Sequence, residues 1–259
     1  MIIDLHNHTT LCNHAQGTID EYIIQAIQSG TKIFGFSEHA PMDFDQKYRL
    51  SFEQMNVYQD NVLRAKKKYV NDIEILLGYE VDFLEGHMDE RVLHADVDYL
   101  IGSVHFIDKW GFDNPEFIGR YEDENIDDIW QKYFDTIEKM AKSGLFDIVG
   151  HLDLIKVFKF MPSKNILDIA NNALIAIKEA NMVLEINMAG YRKPVKEAYP
   201  SQELLEAAYN LKIPITFSSD AHAPEQVSLF TKEILSLARN VGYTQCATFN
   251  NRQRKMIDF

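Results

Sequence analysis

Cysteine is nearly missing from this chain: Cys12 and Cys246 are the two thiols among 259 residues. Two thiols cannot build a disulfide framework, so stability must come from an apolar core, and a reducing cytoplasm is the expected compartment. No run of about 18 apolar residues is present, which predicts no transmembrane helix and no membrane partner. The opening MIIDLHNHTT has no basic segment ahead of a long apolar one, so no signal peptide is expected. Positive charge is in deficit, with 26 Lys and Arg against 39 Asp and Glu and a net charge of −13. Such a surface repels phosphate backbones and argues against a nucleic-acid partner, while leaving a small-molecule substrate open. Fixed-period repeats, low-complexity tracts and Gly/Ser-rich linkers are absent too.

What is present is an ordinary globular composition, 46% hydrophobic and 25% charged, at a length suited to one α/β barrel domain over 1–259. Short apolar runs alternate with amphipathic stretches. The runs are MIIDLH (1–6), KIFGFSEH (32–39), IEILLGYEVDF (73–83), DYLIGSVHF (98–106), DIVGH (147–151), MVLEIN (182–187) and IPITFSSDAH (213–222), with QCATF (245–249) as a weaker candidate. Brevity, β-branched content and near-continuous hydrophobicity suit parallel strands covered on both faces. Between them, TIDEYIIQAIQSG predicts a helix with a capping box at Thr18 and Glu21, an apolar face of Ile19, Ile23, Ala26 and Ile27, and a stop at Gly30. Residues 51–70, 124–143, 164–180, 201–211 and 225–241 read as further helices. Seven or eight such βα units favour a barrel over an open sheet.

The nine histidines fall on this scheme unevenly. His6 and His8 close the first run, His39 the second, His105 the fourth, His151 the fifth, and Asp220 with His222 the seventh. Glu80 lies towards the end of the third. His87 and His94 fall elsewhere, in HMDERVLHA (87–95), where surface or supporting roles are expected. A parallel barrel gathers its strand C-termini on one face, so these residues should meet there. His6 and His8 are two apart in an extended segment and can share a metal, and Asp220 and His222 repeat the spacing. Imidazole with carboxylate and no thiolate set suits zinc, manganese or iron, with Cys12 a bystander. So many ligands imply two or three divalent ions bridged by a carboxylate, for which Glu80 is the natural choice. Paired ions activate water and clamp the oxygens of an in-line displacement, which points to phosphoester hydrolysis.

The motifs DLHNHTTLCNHA (4–15), SEHA (37–40), GYEVDF (78–83), GSVHF (102–106), VGHLDLIK (149–156) and SSDAH (218–222) occur in an order that resembles the PHP superfamily of polymerase and histidinol-phosphatase domains. The resemblance implies a distorted seven-stranded (β/α)7 TIM-like barrel, with a trinuclear metal centre at the C-terminal ends of the strands. It implies one ion at His6, His8, Glu80 and Asp220, a second at Glu80, His105 and His151, and a third at His14, His39 and His222. His14 is assigned by the resemblance alone. Phe106 after the fourth-run histidine, and NMAGYRKPVKEAYPSQELL (187–205), are similar to the histidinol-phosphate phosphatase branch, and imply L-histidinol phosphate as substrate and Arg192 as its phosphate ligand.

Glu80, Asp220, Arg192 and Asp153 are thus the expected catalytic residues, and Arg192, Asp153, Lys156 and Phe106 the expected substrate contacts. Asp153 would orient or protonate the leaving group, or meet the substrate amine. Lys156 would add a phosphate contact or be solvated. Glu38, beside His39, would orient a ligand imidazole. Trp110, Phe112 and Phe117 in the loop 107–121 would pack a core or lid rather than line the pocket. Ser218 departs from the glycine of many relatives, without touching a ligand. The rival readings are a PHP-type nuclease or nucleotide phosphoesterase, and a non-catalytic PHP scaffold.

Overall fold

In a computed structural model describing residues 2–259, the expected alternation closes into a barrel. In chain order the elements are β1 (Ile3–Asp4), α1 (Ile19–Gln28), β2 (Ile33–His39), α2 (Met55–Lys68), β3 (Glu74–Asp82), α3 (Glu90–Leu93) and β4 (Tyr99–Ser103). A small hairpin, β5 (Phe106–Ile107) and β6 (Trp110–Gly111), precedes α4 (Arg120–Asp123), α5 (Ile126–Ser143), β7 (Ile148–Val149), α6 (Ile166–Glu179) and β8 (Val183–Asn187). Then come α7 (Gln202–Asn210), β9 (Ile215–Ser218), α8 (Thr231–Val241), β10 (Gln245–Asn250) and β11 (Gln253–Asp258).

Seven strands pair in the order β1-β2-β3-β4-β7-β8-β9, parallel throughout. The seam between first and last is drawn together where the Leu5 N–H donates to Phe217 O at 3.0 Å and the His8 N–H to Ala221 O at 3.0 Å. The result is a nearly closed seven-stranded α/β barrel. Its interior is crossed by Tyr99, whose hydroxyl donates to Leu5 O at 2.6 Å. Gly35 and Gly78 make room for that ring: a Cβ on Gly35 would collide with Tyr99 Oη, and one on Gly78 would lie 2.6 Å from Tyr99 Cε2.

The Thr18–Glu21 capping box opens α1 as the sequence predicts, and Ser201 caps α7. Two elements differ from expectation. The stretch 225–241 is interrupted by Ser228, whose positive φ of 60° no regular helix accommodates, so α8 begins only at Thr231. QCATF is a strand, but it pairs antiparallel with β11 instead of joining the barrel. The turn at Asn251 and Arg252 has positive φ at both residues, which suits a tight two-residue hairpin.

Candidate metal centre

The strand C-termini deliver the chemistry. His39 is the last residue of β2 and Glu80 lies two residues before the end of β3, while His105 and His151 each follow their strands by two residues. His6 and His8 follow β1, and Asp220 and His222 follow β9, along the seam where these two segments hydrogen-bond. His14 arrives on the loop after β1, past a 3₁₀ turn at Thr10–Cys12. Three groups form at one barrel mouth: His6, His8 and Glu80; Glu80, His105 and His151; and His14, His39 and His222. Within each, ligand-capable atoms lie within 4.8 Å of one another. Asp220 Oδ1 stands 3.3 Å from His8 Nε2 and 3.9 Å from His6 Nε2. Glu80 joins the groups, with Oε1 2.9 Å from His151 Nε2 and Oε2 2.7 Å from His39 Nδ1.

Behind several rings stands a second oxygen. His6 Nδ1 lies 2.7 Å from Glu185 Oε1, His8 Nδ1 3.3 Å from Glu38 Oε1, and His105 Nδ1 2.7 Å from Asp82 Oδ1. The backbone carbonyl of Cys12 serves His14 Nδ1 at 2.9 Å. A carboxylate or carbonyl on Nδ1 fixes ring orientation and presents Nε2 as a basic lone pair, which is the arrangement metal-bound histidines use. Three ligand-capable atoms of one group, His6 Nε2, His8 Nε2 and Glu80 Oε2, are buried and, close as they stand to other polar atoms, make no hydrogen bond of proper geometry. Buried polar atoms left unpaired are costly, so their convergence fits a cation and supports divalent metal use.

The electrostatics agree. Burial disfavours charge on Glu80, yet His6, His39 and His105 around it hold its carboxyl well below the usual range. Burial is likewise outweighed at Asp220 by His6, His8 and His222. At His105 burial opposes protonation, but Asp82 and Glu80 raise its pKa to about 10. His39 moves the other way, to about 4, through burial and the neighbouring His8. Cys12 stands near His8 and His222. However, burial and Glu38 push its thiol far up, and its Sγ–H donates to Thr9 O at 3.1 Å, so it is no thiolate donor.

Over the groups lies a cavity of about 360 Å³ lined by Glu80, His151, Arg192, Tyr199 and Asp220, among others. Arg192 Nη2 donates to Asp220 O at 2.7 Å, and its Nη1 is buried without a partner. An adjoining cavity of about 320 Å³ shares His14, His39, His105 and Asp113, and adds Tyr48, Phe106 and Phe117.

Lys156 is corrected by the structure. It is neither solvated nor free for phosphate, because its buried ammonium lies 2.8 Å from each of Asp153 Oδ2, Glu197 Oε2 and Ala198 O. Asp153 is buried with it and accepts the Ser201 N–H at 2.9 Å. Neither residue lines the cavity, so direct contact with substrate is not what the geometry supports. Glu38 orients His8 rather than the adjacent His39 ring. Trp110 and Phe112 pack in the core, whereas Phe117, 51% exposed, lines the adjoining cavity. His87 pairs with Asp43 and His94 with Glu90, and neither joins the metal groups or lines the two cavities. Sequence reasoning missed Glu185, Asp82 and Asn187, whose Nδ2 donates to both Glu185 and Asp220. For Glu185 and Asp82 the available signal was an acid inside an otherwise apolar strand run.

The model of the PHP domain family matches residues 4–189. The chain belongs to the PHP family. It is 38% identical over 257 residues to a Deinococcus radiodurans protein named probable histidinol-phosphatase, covering 97% of this chain and 98% of that one. It is 30% identical to the histidinol-phosphatase of Bacillus subtilis, covering 85% and 92%. A crystal structure of a Lactococcus lactis histidinol phosphate phosphatase, complexed with zinc, L-histidinol and phosphate, has a TM-score of 0.80 at 20% identity, over 98% of both chains. At that identity the likeness shows the same PHP barrel fold.

Proposed function

We propose that this chain is a metal-dependent phosphomonoesterase that hydrolyses L-histidinol phosphate to L-histidinol and phosphate, a step of histidine biosynthesis. The observation that carries this reading is the meeting of three histidine groups at one mouth, two of them sharing the Glu80 carboxylate, with Arg192 and its unpartnered Nη1 on the same cavity. The histidinol-phosphatase names of its relatives supply the substrate.

In the proposed arrangement His6, His8, Glu80 and Asp220 hold one divalent ion, Glu80, His105 and His151 a second, and His14, His39 and His222 a third. Zinc, manganese and iron all suit such donors. Bound there, the ions would supply Lewis acidity and activate water at neutral pH. Arg192 binds the phosphate through the planar guanidinium, whose N–H pairs match two phosphate oxygens. Glu80 keeps its negative charge between two groups and so sets their separation. The adjoining cavity is lined by the aromatic residues Phe106, Phe117 and Tyr48 and by Asp113, which suits a leaving group with an aromatic ring and an ammonium. Among the described residues no helix is long and apolar enough to cross a membrane, and the cytoplasm is the proposed compartment.

The test is a substrate panel with metal-loaded protein: histidinol phosphate, simpler phosphomonoesters and single-stranded DNA. Phosphate release fastest from histidinol phosphate is expected. Nucleotide release from DNA as the faster reaction would instead support a nuclease, and no turnover of any member a scaffold.

A further inference from the structure

Two residues lining the cavity over the metal groups each carry a donor buried without a partner: Arg192 Nη1 and Tyr199 Oη. Both come from the segment joining β8 to α7, which folds back on itself. The Asn187 N–H donates to Tyr199 O at 2.7 Å, and the Tyr199 N–H donates to Asn187 O at 3.0 Å. The Tyr199 ring stands edge-on to His151, with centroids 6.5 Å apart, and the Lys156 ammonium lies 5.4 Å from its centre. On a further side sits Gly190, where an added Cβ would lie 3.1 Å from Tyr199 Cε2. The ring is therefore held from several directions with its hydroxyl unsatisfied. Packing alone would be served by phenylalanine, which carries no such cost.

We propose that the Tyr199 hydroxyl donates a hydrogen bond to a non-bridging oxygen of the substrate's phosphate, beside Arg192. This rests on the reading of the chain as a phosphomonoesterase. A phosphate monoester dianion offers three non-bridging oxygens, more than one guanidinium can satisfy, and a neutral O–H adds a donor without another cation. An ordinary phenol titrates at about 10, so at neutral pH the hydroxyl carries its proton and can donate.

Tyr199→Phe removes one oxygen and keeps the ring. With metal-loaded protein, we expect inorganic phosphate to bind about tenfold or more weakly by calorimetry, and kcat/KM for a small phosphomonoester to fall about 10–100-fold. Metal content should be unchanged and Tm no lower, because the hydroxyl has no partner to lose in the free protein. Phosphate affinity and kcat/KM within twofold of the wild type would overturn the assignment. So would a lowered Tm with lost metal, which marks a structural hydroxyl. If the wild type neither binds phosphate nor cleaves phosphomonoesters, the phosphatase reading itself fails. If it does both and Tyr199→Phe matches it, only the tyrosine assignment fails.

Discussion

Glu185 reaches His6 Nδ1 at 2.7 Å with one oxygen, and with the other accepts the His151 N–H at 2.7 Å. One buried carboxylate thus fixes two imidazole-bearing segments from opposite parts of the chain. Glu185→Gln keeps the shape but weakens the hold on His6, so metal affinity should fall about 10–100-fold in competition with a chelator. An affinity within twofold of the wild type would contradict that role. Arg192 acts on the substrate instead. Arg192→Ala should keep its full metal content by elemental analysis and lose about 100-fold or more in kcat/KM, as loss of a charge-assisted phosphate contact in a desolvated site implies. Unchanged kinetics would remove it from the site.

At the scale of elements, the strands hold the site by ending early. β1 and β7 are two residues each, and the extended backbone beyond them carries His6, His8 and His151 to the mouth. The runs were legible because strands covered on both faces read as continuous apolar stretches. Their true ends were not, since the pairing that stops at Asp4 or Val149 depends on neighbours distant in sequence. β11 escaped notice because its residues, Gln253 to Asp258, are mostly exposed and offer only Met256 and Ile257 as an apolar signal. Asp82 and Glu185 were visible as acids in apolar runs, but their partners His105 and His6 come from other strands. Lys156 was misplaced for a similar reason: only the 3₁₀ turn at Leu154–Lys156 directs its ammonium inward to Glu197. The glycines of β2 and β3 test the packing. Gly35→Ala drives a methyl group into Tyr99 and should cost about 1–3 kcal/mol in denaturant unfolding. A loss under 0.5 kcal/mol, the ordinary range for a neutral surface change, would show that the ring is free to move.

For the molecule as a whole, net charge and site chemistry pull in opposite directions. A chain of net charge −13 repels a phosphate dianion over most of its surface, so the substrate must find local positive charge. Arg192 supplies part of it, and the imidazole–carboxylate groups are suited to hold the rest as divalent cations. The metal groups come from the ends of six barrel strands and Arg192 from beyond the seventh, so the site exists only when the barrel has closed. The most direct test is phosphate release from histidinol phosphate as a divalent ion is titrated into chelator-treated protein. No release above background is expected without the ion, and with it a rise that levels off at about three ions per chain, one for each of the three histidine groups. Equal turnover in the chelated protein, or none after full loading, would contradict it.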